Sequence, residues 1–131
     1  MVKLCAHLGY QFQEFEPLQR FAEAAKAGFR AIEWPSPYQF DAHLLCDLLQ
    51  QHNLEWVQVT LPTGGTSEKG VTALPGREAD FERGLDQAIQ FALKLGAKAI
   101  HPMAGVISSW DESEVQKTYL RNLRLASTKA R

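Results

Sequence analysis

Three things are scarce in this sequence: a surplus of one charge, a long apolar run and a paired-cysteine motif. Fourteen Lys and Arg stand against fifteen Asp and Glu, a net charge of −1, and the like charges never gather into a block. Holding nucleic acid by bulk electrostatics needs a basic patch, so nucleic acid is not an expected partner. Every apolar stretch is interrupted well short of the roughly 18 residues that span a bilayer. The opening Met1–His7 has no apolar signal-peptide region. The expectation is a cytoplasmic protein that does not engage membranes. The two cysteines, Cys5 and Cys46, fall in different predicted elements and form no CxxC, which points to reduced packing thiols rather than a disulfide or a nucleophile.

What is present is an ordinary globular balance, 45% hydrophobic and 22% charged over 131 residues. At about 100 to 200 residues per domain, that is one domain with a core. Strand-like and helix-like patterns alternate along it. Lys3–Leu8 is a short apolar run. Pro17 opens a helix whose apolar face is Leu18, Phe21, Ala22 and Ala25, and Gly28 ends it. Ala31–Trp34 reads as a second strand. Asp41 caps a helix striped by Leu44, Leu45, Leu48 and Leu49 that ends near Asn53. Trp56, Val57, Val59 and Leu61 mark a third strand. A helix from Arg77 to Leu95 buries Phe81, Leu85, Ala88, Ile89 and Ala92, with Gly96 beyond its end. Ala99–Met103 is the fourth strand. Ser109 and Glu112 have capping-box spacing ahead of a last helix with Val115, Tyr119, Leu123 and Ala126 on one face.

An internal echo supports the order βαβαβαβα. Gly28-Phe29-Arg30-Ala31-Ile32-Glu33 matches Gly96-Ala97-Lys98-Ala99-Ile100-His101 in pattern, 68 positions later. That offset is two units of about 34 residues, the size of a βαβ step. Strands joined by helical crossovers are parallel. Either an open doubly wound sheet or part of a (β/α)8 barrel fits. A barrel spends about 250 residues on eight units, so four units make half of one.

In both folds, function gathers at the carboxyl ends of the strands. The polar residues there are His7, Glu33, Thr60 and His101. Strand ends are wet and tolerate polar side chains, yet two His and a Glu from separate strands also suit a substrate-lining cluster. His7, Glu33 and His101 have metal-ligand chemistry, but no local spacing such as HExxH supports a metal. The segment Pro62–Gly76 is the longest without periodicity and carries Gly64, Gly65 and Gly70, which suggests a lid. Gly65 and Gly70 have phosphate-loop spacing, but Val71 stands where that motif needs Lys. Arg77, at a helix start, suits a bidentate grip on a carboxylate.

The segments AHLGYQFQE (6–14), AGFRAIEWPSPY (27–38), LPTGG (61–65), ALPGRE (73–78) and IHPMAGV (100–106) resemble, in order, the amino-terminal half of the hydroxypyruvate isomerase family and its 2-oxo-tetronate isomerase relatives. These belong to the sugar isomerase and epimerase TIM barrels. The resemblance implies a (β/α)4 half of a TIM barrel occupying residues 1–131 as a single domain, ending before strand five. It also implies interconversion of hydroxypyruvate and tartronate semialdehyde, or a related small 2-oxo sugar acid, by enediol proton transfer. Glu33, Arg77 and His101 match the family pattern as substrate-pocket residues. His7 and Thr60 stand where relatives often have Asn, and the loop after Leu61 is shorter than usual and lacks Trp.

The family's acid and base are glutamates on late strands, beside a divalent-cation site also built from later strands. No catalytic residue, metal ligand or cofactor is therefore expected within this chain; the divalent metal belongs to a complete barrel. The expected partners are a small hydroxy-oxo acid and a second copy of the chain, through a homodimer or association over the open sheet face. A rival reading is a non-catalytic half barrel, or an open α/β module that binds a small anion or a subunit.

Overall fold

The computed structural model describes residues 2–35, 37–65, 67–107 and 111–131. Four strands, β1 (Ala6–His7), β2 (Ala31–Trp34), β3 (Glu55–Thr60) and β4 (Ala99–His101), form one sheet in the order β1-β2-β3-β4. Four α-helices accompany them: α1 (Arg20–Lys26), α2 (Ala42–His52), α3 (Glu78–Leu95) and α4 (Glu112–Lys129), with a 3-10 turn at Pro17–Gln19 ahead of α1. The architecture is the half TIM barrel that the family resemblance implies, one of the two folds the alternating pattern allows. Sequential order with helical crossovers is what a barrel requires; an open doubly wound sheet would reverse its strand order partway. The chain divides into two compact units, Met1–Val59 with Gln90–Ile100, and Thr60–Ile89 with His101–Arg131.

In the first unit, three helices end by the same device. Gly28 (φ +93°), Asn53 (φ +50°) and Gly96 (φ +71°) each take a left-handed conformation just past a helix. The next residue's N–H then reaches back over the last turn: Phe29 to Ala24 O at 3.1 Å, Leu54 to Leu49 O at 2.9 Å, and Ala97 to Ala92 O at 2.9 Å. This is the Schellman arrangement, which satisfies carbonyls the helix leaves open and turns the chain toward the next strand. At the other end of α2, the Asp41 carboxylate accepts from the backbone N–H of His43 at 2.8 Å and of Leu44 at 3.3 Å. Those bonds to the ionised form hold its pKa below the usual carboxylate range.

The core of this unit is aromatic. Phe21 is fully buried, with ring centroids 6.2 Å from both Trp34 and Trp56. β1 and β2 pair in parallel, with Ala6 opposite Ile32 and His7 opposite Glu33. Between β2 and β3 the register slips: Ile32 faces Trp56 but Trp34 faces Val59, so β3 carries one extra residue. Such a bulge breaks the two-residue alternation and re-aims side chains. Trp56 and Val59 are accordingly both buried while Val57 is exposed, and the Trp56 indole donates to Gln58 O at 2.7 Å across the kink.

The second unit is built on the first turns of α3, on α4, and on a pair of loops. On α3, Phe81, Leu85 and Ala88 are buried, as the helical period predicts. α4 behaves differently. Its predicted stripe of Val115, Tyr119, Leu123 and Ala126 is only half-buried, and the buried positions are Thr118 and Asn122. Asn122 is fully buried because its amide donates to Thr72 O at 2.9 Å. The N-cap of α4 is Asp111, which accepts from Glu114 N at 3.1 Å; the expected cap, Ser109, lies outside the described residues.

Candidate functional site

His7 and Glu33 end neighbouring strands of the first unit and are direct register partners. The backbone N–H of Leu8 donates to Glu33 O at 2.9 Å, continuing the ladder past the last strand residue. The Glu33 carboxylate accepts a hydrogen bond from the Gln58 side-chain amide. That contact depends on the β3 bulge. Sequence reading missed Gln58 because it sits in a run read only for its apolar positions. Its signal was a long amide in the middle of such a run. Cys5 lies close enough to feel the Glu33 charge: burial, then that charge, pushes its thiol up to about 11. Both cysteines are free, as expected of packing thiols.

The His7 backbone is held at both ends. Its N–H donates to Gln11 Oε1 at 2.7 Å, and its carbonyl accepts from Tyr10 N and Gln11 N, each at 2.9 Å. Its ring stacks on Tyr10, with centroids 4.3 Å apart.

Thr60 and His101 belong to the second unit and end β3 and β4. Leu61 N donates to His101 O at 3.0 Å, which sets the two strand ends side by side. Thr60 is buried and the His101 side chain is exposed. Arg77 stands one residue ahead of α3 and makes the bidentate grip expected of it, but on this chain's own carboxylates. Nη1 and Nη2 both engage Glu68, the second at 3.3 Å, and Nε pairs with Asp80. These contacts hold Glu68 and Asp80 below the usual carboxylate range and raise the Arg77 guanidinium further above it. A cavity of 430 Å³ adjoins the pair, lined in part by Gly64, Gly65, Arg77 and Arg83.

The segment Pro62–Gly76, expected as a lid, is tied down at Gly65, Glu68, Gly70, Thr72 and Ala73. Gly70 bridges Ala104. Gly70 N donates to Thr63 O at 2.8 Å, Thr72 N to Met103 O at 3.2 Å, Ala73 N to Ala104 O at 2.8 Å, and Val106 N to Glu68 O at 3.0 Å. Gly65 N adds a bond to the Glu68 carboxylate at 2.5 Å. Among the described residues no group of three His, Cys, Asp or Glu is placed to hold a metal ion. No described helix is long and apolar enough to cross a membrane.

Residues 21–131 match the family model described as xylose isomerase-like TIM barrel, and the chain belongs to that family. Among curated relatives, it is 39% identical to a 2-oxo-tetronate isomerase of Haemophilus influenzae over 98% of this chain and 51% of the relative. It is 36% identical to the hydroxypyruvate isomerase of Escherichia coli over 97% of this chain and 50% of the relative. A solved structure from Brucella melitensis, titled AP endonuclease, family 2, superposes with a TM-score of 0.96 at 36% identity, covering 99% of this chain and 51% of that one. The chain thus spans about half the length of the relatives it matches, and it aligns with their amino-terminal half.

Proposed function

We propose that this protein serves the isomerisation of a small hydroxy-oxo acid, with hydroxypyruvate as the substrate and 2-oxo-tetronate as its nearest competitor. The observation that carries the reading is that 97–98% of this chain aligns, at 36% and 39% identity, with about half the length of relatives bearing those two names. The reaction removes a proton from the carbon beside a carbonyl and returns it to the neighbouring carbon through an enediol. It needs a positioned base and donors for the developing oxyanion.

The residues of this chain bind and orient. In the first unit, Glu33 is an acceptor for a substrate hydroxyl, kept in place by Gln58, and His7 supplies a ring nitrogen. In the second, Thr60 and His101 offer polar groups at adjacent strand ends. Arg77 suits a substrate carboxylate, which must displace Glu68 from the guanidinium to be held. None of these residues serves as the principal base.

The test is a hydroxypyruvate titration followed by amide chemical shifts. Shifts are expected at His7 and Glu33 and, in the other unit, at Thr60 and His101. A titration that moves none of them overturns the reading. The 131-residue chain is expected to bind without producing tartronate semialdehyde, with or without a divalent cation. Turnover that disappears in Glu33→Gln would instead make Glu33 the base.

A further inference from the structure

We propose that His7 donates a hydrogen bond through Nε2, its tautomer fixed by packing against Gly9, and that it receives an oxygen acceptor of a small oxo acid. The identity of the ligand rests on the function proposed above; the state of the ring does not.

The two ring nitrogens occupy different surroundings. Nδ1 is cut off from solvent and has no hydrogen-bond partner. The edge that carries it lies against Gly9: a Cβ added at that glycine would stand 2.8 Å from His7 Cε1 and 3.2 Å from Nδ1. The stack on Tyr10 closes one face of the ring, and the backbone bonds described above fix its base. Nε2 makes no bond among the described residues and is not among the buried unpartnered atoms, so it is the nitrogen that solvent or a ligand reaches.

A neutral imidazole carries one proton, and the hydrogen bond available to one nitrogen decides the role of the other. Placing the proton on Nδ1 would bury an N–H with no acceptor. An orphaned buried donor is rarer than an under-satisfied acceptor. The proton therefore resides on Nε2, where water or a ligand oxygen accepts it. The same argument separates two uses of His7 that its chemistry leaves open. A metal bound at Nε2 would force the proton onto Nδ1, where nothing receives it. An oxygen acceptor, such as the carbonyl or carboxylate of a 2-oxo acid, leaves the ring as it is. Gly9 acts at one remove: a side chain there would press on the ring, and its Cβ would also crowd Pro35 Cδ at 3.1 Å.

Long-range proton–nitrogen correlation of the ¹⁵N-labelled chain, at a pH where the ring is neutral, reads the tautomer directly. The His7 signal is assigned by its loss in either His7→Gln or His7→Asn. The Nε2–H pattern is expected, turning to a mixed pattern in Gly9→Ala. An Nδ1–H or averaged pattern in the unsubstituted protein overturns the proposal. For the ligand, the Gln side-chain amide reaches about as far as Nε2 whereas Asn stops near Nδ1. Hydroxypyruvate binding should therefore weaken about tenfold more in His7→Asn than in His7→Gln. Equal binding by the two variants overturns the assigned contact. Failure of the unsubstituted chain to bind hydroxypyruvate, with the Nε2–H pattern intact, refutes the proposed function and not the ring state.

Discussion

Gly70→Ala should be among the most damaging single-methyl additions to the second unit. Gly70 has φ +110°, and a Cβ there would lie 2.2 Å from Met103 O and 2.5 Å from Met103 C. Both atoms are backbone and cannot rotate away. The facing Gly105 is equally committed, since its own added Cβ would meet Gly70 O at 2.6 Å. Strain at such a φ costs about 1 to 3 kcal/mol. Separating the two loops also removes Thr72 N to Met103 O and Ala73 N to Ala104 O, at about 1 kcal/mol each. The expected loss is about 3 to 5 kcal/mol, a large share of the roughly 5 to 15 kcal/mol that stabilises a domain. Urea unfolding followed by circular dichroism measures it, and faster amide exchange at Thr72, Ala73 and Val106 locates it. Gly76→Ala is the control: φ is +80° there and no atom lies within 4 Å of the added Cβ, so it suffers strain alone. Equal losses in the two variants would refute the close approach as the cause.

Three further outcomes follow from the charges, the thiols and the sheet edge. Because Arg77 depresses Glu68 and Asp80 from ordinary values of 4.5 and 3.8, its stabilisation is complete above those values and is lost as pH falls through the lowered ones. The melting-temperature gap between the parent and Arg77→Gln should hold steady at neutral pH and close in acid; a gap that widens in acid refutes the pairing. Cys5 and Cys46, both raised mainly by burial, should alkylate more slowly at pH about 8 than a free thiol, and Glu33→Gln should quicken Cys5; unhindered labelling of both would contradict their burial. Among the described residues β1 pairs only with β2, and Val2 and Leu4 beside it are 86% and 72% exposed, so light scattering should find the chain dimeric through this edge; a stable monomer would count against it.

The frame was legible in the sequence because local chemistry fixes it. The Ala31–Trp34 strand and the Asp41 cap fall where the pattern put them, and so do the left-handed residues Gly28, Asn53 and Gly96. α3 was legible because its apolar side chains follow one period over eighteen residues. α4 was legible as a helix but its buried face was not, because what it buries is an amide serving a carbonyl fifty positions away, and no periodicity of apolar residues announces that. A guanidinium fork at a helix start was legible in Arg77, but its partner Glu68 was not, because the two meet only once the intervening loop has folded.

The same division explains why the site's supporting residues escaped. The strand-end residues His7, Glu33, Thr60 and His101 could be named because any barrel points such positions toward the loops. Gln58 and Gly9 could not, because their roles depend on irregularities in register and turn. One extra residue in β3 breaks the alternation and lets Gln58 meet Glu33 from mid-strand. One missing side chain after β1 lets the His7 ring lie down with Nδ1 sealed and Nε2 open. A strand-period reading places Val57, Val59 and Leu61 on one face. The bulge instead leaves Val57 exposed while Val59 is buried. The geometry at the ends of β1 and β3 is thus set where regular secondary structure stops, by one residue gained in a strand and one side chain withheld in a turn.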